Sequence, residues 1–162
     1  MRNLAHSPFP VRRGVWLTAF ACLLWGAPAL ASNPHGAPSV EMLREIDFGT
    51  LALGGNGGQI TVSPNGALSC SGGLQCLGGQ SAGAFAITGA KDEIVSIIVS
   101  PAMLDDGKGH RLRAVFTPSD RTMVLRPGNA KNPFTMGGTL TASGALVEGS
   151  YSGTFDVIVE YQ

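Results

Sequence analysis

Gly149-Ser150-Tyr151-Ser152-Gly153-Thr154-Phe155-Asp156-Val157-Ile158-Val159-Glu160-Tyr161-Gln162 is the stretch that decides the fold. From Tyr151, every second residue is apolar, aromatic or glycine: Tyr151, Gly153, Phe155, Val157, Val159, Tyr161. Between them stand Ser152, Thr154, Asp156 and Glu160, with Ile158 the exception. A period of two means a strand with one buried face, because successive side chains point to opposite sides. β-Branched and aromatic residues fit such a pleated surface. Full burial of Phe155, Val157 and Val159 would contribute roughly 1.5–3 kcal/mol each. A slip of one residue would turn that face to solvent, so the register is tightly specified.

Upstream, the same grammar repeats. Phe134 to Ala142 is extended and carries the Gly137-Gly138-Thr139-Leu140 step. Pro118 to Pro133 is polar and proline-bearing, an excursion with one short strand at Met123–Leu125. Leu112–Thr117 is a strand, joined by the loop Asp105-Asp106-Gly107-Lys108-Gly109 to Ile94–Val99, a near-continuous apolar run that reads as a central strand. Gly83 to Gly89 holds Phe85 and Ile87 on one face. Pro64-Asn65-Gly66, between strands at Gln59–Ser63 and Ala67–Cys70, is the strongest hairpin signal, since Asn and Gly tolerate positive φ. Ser71-Gly72-Gly73 reads as another turn before a short strand at Leu74–Leu77, and Gly54 to Gly58 reads as a break after Leu51–Leu53. Val40, Met42, Ile46 and Phe48 alternate in a first strand, although Met42 to Glu45 also fits a helical turn. About seven to nine short strands without crossover helices predict an all-β, immunoglobulin-like two-sheet β-sandwich, with a closed barrel as the alternative.

The start of the chain reads as a targeting segment. Arg12-Arg13 precedes an apolar run from Val15 to Ala27, and Ala29-Leu30-Ala31 fits a small-x-small cleavage pattern. The run is about thirteen residues where a membrane span needs about twenty, so no span is expected after cleavage. General export fits better than the twin-arginine route, because Gly14-Val15-Trp16 follows the arginine pair. The expected organisation is a signal peptide over 1–31, a flexible leader over 32–39 with two prolines, and one domain over 40–162. The expected location is the periplasm, cell surface or extracellular space.

Removing 31 of 162 residues leaves 131, enough for one real core. Arg2, Arg12 and Arg13 leave with the signal, so eight basic residues face eleven acidic ones, a net charge of −3. A mildly acidic chain has no electrostatic footprint for nucleic acid. Charged residues are 14% of the sequence against about 25% in typical soluble chains, consistent with a surface partly covered by neighbours.

Cys22 lies in the signal, leaving Cys70 and Cys76. An exported chain meets an oxidising compartment, so the two are expected to pair rather than remain core thiols. Closing this short loop is worth roughly 2–2.5 kcal/mol in the chain-entropy model, and the bridge staples one hairpin. The spacing excludes a C-x-x-C redox site, and zinc lacks further ligands.

Chemistry-bearing motifs are scarce. His35 and His110 are the histidines beyond the signal, and His110 beside the Asp-rich loop reads as solvated. Were cleavage to follow Ser32, His35 would be the third residue, but Pro34 lacks the amide a terminal copper site uses. Asp105-Asp106 and Asp92-Glu93 are loop carboxylates, with a weak calcium site as the lesser reading. No Gly-x-Ser-x-Gly elbow or phosphate loop occurs. No catalytic residue, cofactor or metal is assigned.

Five strings together carry a family resemblance: Ile46-Asp47-Phe48-Gly49, Ile60 to Gly66, Phe85 to Gly89, Gly137 to Leu140 and Gly149 to Phe155. In order and spacing they resemble a family of exported bacterial β-domains of unknown function. That family in turn resembles spore-coat-protein-U-like and archaic chaperone–usher pilin subunits. Such pilins end in an alternating strand with a penultimate aromatic and a glycine fourteenth from the end; Tyr161 and Gly149 match. The resemblance implies a sandwich lacking its last strand, a periplasmic chaperone or a neighbouring pilin-like subunit as partner, and strand addition as the mode of assembly. A donor needs about ten alternating residues ahead of its first strand. Ser32–Ser39 is shorter and has two prolines, so the expected role is an acceptor, a terminal subunit or a self-complete relative. The cysteine pair also lies away from the first-to-second-strand bridge expected in pilins. The expected function is a non-catalytic structural or adhesive domain. The rival is a self-contained binding module for a small ligand or glycan, although Trp16 and Trp25 both fall in the signal.

Overall fold

The computed structural model describes residues 36–162 apart from 127–130 and 143–146, and only the backbone at 53–56. The expected signal peptide lies outside the described residues, as does the leader up to 35. The described elements are all strands: β1 Ser39–Arg44, β2 Thr50–Val62, β3 Leu68–Gly78, β4 Gly83–Thr88, β5 Ile94–Val99, β6 Ala102–Asp105, β7 Arg111–Pro118, β8 Thr122–Val124, β9 Asn132–Ala142 and β10 Val157–Tyr161. They form two antiparallel sheets, β1-β4-β9-β2-β3 with β7 and β6 attached through β9, and β10-β5-β8.

β9 is the hub. Met136 pairs with both Gly83 of β4 and Pro118 of β7, so those strands lie on opposite edges. Leu140 pairs with both Ile60 of β2 and Ala114 of β7. β4 and β2 therefore share one edge of β9, one after the other, and β7 holds the other edge. The Gly137-Gly138 step sits where β4 gives way to β2. A Cβ on Gly137 would fall onto the Val62 carbonyl and within 2.7 Å of Ser63 and Pro64 backbone atoms. Only glycine permits that approach. Pro133 pairs with Ala86 at the start of β9, before β7 joins, where its missing N–H leaves no ladder bond broken on the far edge.

Alternation works as expected in β7, whose Leu112, Ala114 and Phe116 face inward between exposed Arg111, Arg113 and Val115. The core takes Ile60, Phe85, Ile87, Phe134, Met136 and Leu140 from the large sheet, Val95 and Ile97 from the small one, and Leu125 just beyond β8. Phe85 stacks on Phe134 at 5.3 Å between ring centroids and meets Phe155 edge-on at 6.4 Å, and Phe155 lies 4.1 Å from Phe116. Burying such rings contributes more than their area alone.

Several local expectations are corrected. Val40 to Phe48 is not one strand: β1 ends at Arg44 after a register shift, and Asp47 makes an isolated bridge with Ser81. Met42 to Glu45 is no helical turn, because β4 supplies the main-chain partners of an extended segment. The Gly54–Gly58 run does not break the chain. It is a bulge within β2, where the four residues between Leu53 and Gly58 stand opposite the single residue between Leu74 and Gly72 in β3. Ser71-Gly72-Gly73 is likewise inside β3 rather than a turn, with Gly72 at φ 73° facing the Gly57 backbone. The Cys70–Cys76 disulfide forms, with Cα atoms 6.0 Å apart, but it braces this irregular stretch of a single strand instead of joining two. The Pro64-Asn65-Gly66 hairpin is a three-residue loop in which Gly66 alone takes positive φ and Asn65 accepts from the Ala67 amide. The described residues form ten strands, the addition being β6, which sits against β7 ahead of the Asp-rich loop.

Candidate functional site

The C-terminal stretch pairs as a strand only from Val157, against β5 with Val157 opposite Val99 and Tyr161 opposite Val95. Upstream its main-chain bonds to the large sheet are at Ser152, which exchanges them with Asp105 at 2.8 and 3.1 Å. Burial alternates from Phe155 onward: Phe155, Val157, Val159 and Tyr161 face inward, and Asp156, Ile158 and Glu160 face solvent, while upstream Tyr151 is half-buried but Gly153, expected on the same face, is exposed. The inward residues are half-buried, not fully buried, which corrects the expectation from periodicity alone. For Tyr151, Phe155 and Val157 the reason is a groove beside them.

This groove holds about 1510 Å³. One wall is β1 with the segment that follows it, through Val40, Met42, Ile46 and Phe48. The other wall is the chain from Val147 to Val157. Its floor is core: Phe85, Leu104, Leu112, Phe116 and Leu140. β1 and β10 approach within 8 Å, yet they do not pair.

Backbone parity fixes what β10 offers to its open side. The Ser100 amide donates to the Asp156 carbonyl, and the Gln162 amide donates to the Ile94 carbonyl. Even-numbered residues therefore point their main chain at β5. Val157, Val159 and Tyr161 point their N–H and C=O groups the other way, where no strand among the described residues pairs with them. The same residues send their side chains inward. A main-chain ladder and an apolar face thus run together along one edge.

Other edges are blunted. β6 and β8 have four and three residues. β1 carries a bulge. β3 carries the disulfide and glycines of positive φ at Gly72 and Gly78. Bulges, short strands and irregular backbone prevent unwanted pairing. β10 has no proline, glycine or bulge.

Two supports hold the wall. Tyr161 Oη accepts from the Ala90 amide at 2.7 Å, against Gly89, where a Cβ would come within 2.7 Å of that oxygen. Gly153 crosses β6 so closely that a Cβ would lie 2.6 Å from the Met103 carbonyl oxygen. Gly149, by contrast, would meet Asp106 and Tyr151 only at ordinary contact distances of 3.5 Å and more. Gly153→Ala is therefore expected to destabilise the domain by about 1–3 kcal/mol, while Gly149→Ala stays within about 0.5 kcal/mol of the parent. Urea unfolding of the two variants checks this.

The Asp-rich loop braces the same wall. Asp106, its side chain 1% exposed, accepts from the amides of Lys108 and His110 at 2.8 and 3.0 Å and lies 2.6 Å from His110 Nδ1. Burial pushes its carboxyl up, but the His110 ring and these amides outweigh burial and hold it down at about 2. The Gly107 amide and then the Arg111 guanidinium lower Asp105 as well. Depressed carboxylates contribute stability that is full above the unfolded value, about 4, and lost as pH falls toward 2. Acid unfolding should steepen in that window, and Asp106→Asn should flatten it while lowering stability at neutral pH. Among the described residues no three metal-ligating side chains cluster, and Asp92 sits in a turn at φ 63° just before Glu93.

Residues 39–161 match the model of the family described as Domain of unknown function (DUF4402). The chain belongs to this family. No curated protein and no solved structure is significantly similar to it. The match covers the described fold of this DUF4402 domain from β1 to the end of β10, so groove, hub and disulfide all lie within it. Of the residues that periodicity singles out, Tyr151, Gly153, Phe155 and Val157 line the groove, while Val159 and Tyr161 lie farther along β10, outside its lining. Periodicity missed the floor residues Leu104, Leu112, Phe116 and Leu140, because any buried strand shows the same alternation.

Proposed function

We propose that this DUF4402 domain is an exported, non-catalytic, pilin-like β-sandwich that accepts an extended strand from a partner. The observation that carries the reading is a groove with an apolar floor, lined by Phe155 and Val157, beside an unpaired main-chain edge. A strand laid along that edge would gain ladder bonds from Val157, Val159 and Tyr161 and, where it passes the groove beside Val157, bury alternate side chains on the Phe85–Phe116 floor, the mode of β-strand addition. A periplasmic chaperone would hold the groove before a neighbouring subunit fills it, in surface assembly or adhesion. The Cys70–Cys76 bridge suits an oxidising compartment. The groove exceeds the roughly 300–1,000 Å³ of small-ligand pockets, which favours a peptide over a small molecule or glycan.

Val159→Asp and Tyr161→Ser are expected to cut the yield of folded, exported protein severalfold. The first sets a charge on the core face; the second removes the ring and its bond to Ala90. Size-exclusion chromatography with light scattering on the chain exported without an added chaperone tests the function. Self-association relieved by a supplied strand peptide supports it. A monomer that melts cooperatively and ignores every such peptide overturns it.

A further inference from the structure

The outward face of the same edge carries a second pattern. Asp156, Ile158 and Glu160 point to solvent, acidic–apolar–acidic, with Ile158 lying across from Ile98. On the open side these residues occupy the sites between ladder bonds, where the side chains of paired strands approach most closely. The groove rim repeats the charge. Glu45, Asp47 and Glu148 line it and are exposed. Arg44 is the basic residue of the described lining, and its Nε is committed to the Ala82 carbonyl at 2.9 Å.

We infer that the occupant is a cationic strand from a different protein, with alternating apolar residues facing in and a basic–apolar–basic run facing out. This rests on the strand-acceptor reading and names its partner by charge. The outward run reads the same in either direction, so it does not depend on strand polarity. It also excludes this chain's own leader, because Ser32–Ser39 contains no lysine or arginine.

Three thirteen-residue peptides test it, with the same alternating Val and Ile inward and either Lys, Ser or Glu at the two outward positions flanking a Val. Their binding to the protein is read by fluorescence anisotropy. The expected order is Lys, Ser, Glu, with Lys over Ser by roughly three- to tenfold at low salt for two exposed pairs. The gap should close in about 0.5 M NaCl. Asp156→Asn with Glu160→Gln should close it too, leaving the Ser peptide unchanged. Equal binding of all three overturns the charge inference while the strand-acceptor reading stands. A Lys advantage that survives both salt and the double substitution also overturns it. Binding by none overturns both.

Discussion

Gly137→Val is expected to abolish folding. β9 pairs with β4, β2 and β7, and residue 137 is where one edge passes from β4 to β2. The atoms a side chain would meet are backbone atoms of Val62, Ser63 and Pro64, so no rotamer change relieves the clash. Parting β2 from β9 there would break the ladder through the core residues Ile60 and Leu140. The cost should exceed about 3 kcal/mol, a large share of the roughly 5–15 kcal/mol that holds a domain together. Loss of soluble product and of a cooperative melt is the readout. Gly66→Asn, at a turn where a Cβ meets nothing within 4 Å, serves as control and should retain both.

Phe85→Ala should be nearly as damaging, at about 3–5 kcal/mol. The ring is 3% exposed, stacks on Phe134, meets Phe155 and forms part of the groove floor. Its removal deepens the groove and weakens the contact between the large sheet and the C-terminal wall. Phe85→Leu refills most of the volume and should recover more than half of the loss. Chemical unfolding of the three proteins gives the comparison. Equal stability of Phe85→Ala and the parent would mean that the ring does not join the two walls.

The sequence made the strand content legible wherever side chains alternate. Leu112 to Phe116 and Gly83 to Ile87 are strands as read, because burial of one face imposes a period of two, whereas of the stretch expected as a strand from Tyr151 only Val157 to Tyr161 pairs. Glycine runs were misread. Gly54–Gly58 and Ser71–Gly73 look like breaks in composition, yet two glycine-rich stretches facing each other form a bulged ladder that neither reveals alone. β6 was missed because four residues carry too little pattern. The groove was not legible in the alternation. An inward-facing Phe155 or Val157 has the same sequence signature whether the neighbouring strand is supplied by its own chain or by another. What separates the two cases is the half-burial of those residues beside a main-chain edge that β5 leaves unpaired.

Residue-resolved hydrogen exchange along Asp156 to Tyr161, with and without a bound strand peptide, tests the central claim most directly. In the free protein the amides of Ile158 and Glu160 should be protected by β5, while those of Val157, Val159 and Tyr161 exchange quickly. On binding, the three odd-numbered amides should become protected as well. Protection of Val157, Val159 and Tyr161 in the free monomer would contradict the account, because it would mean that the edge is already paired.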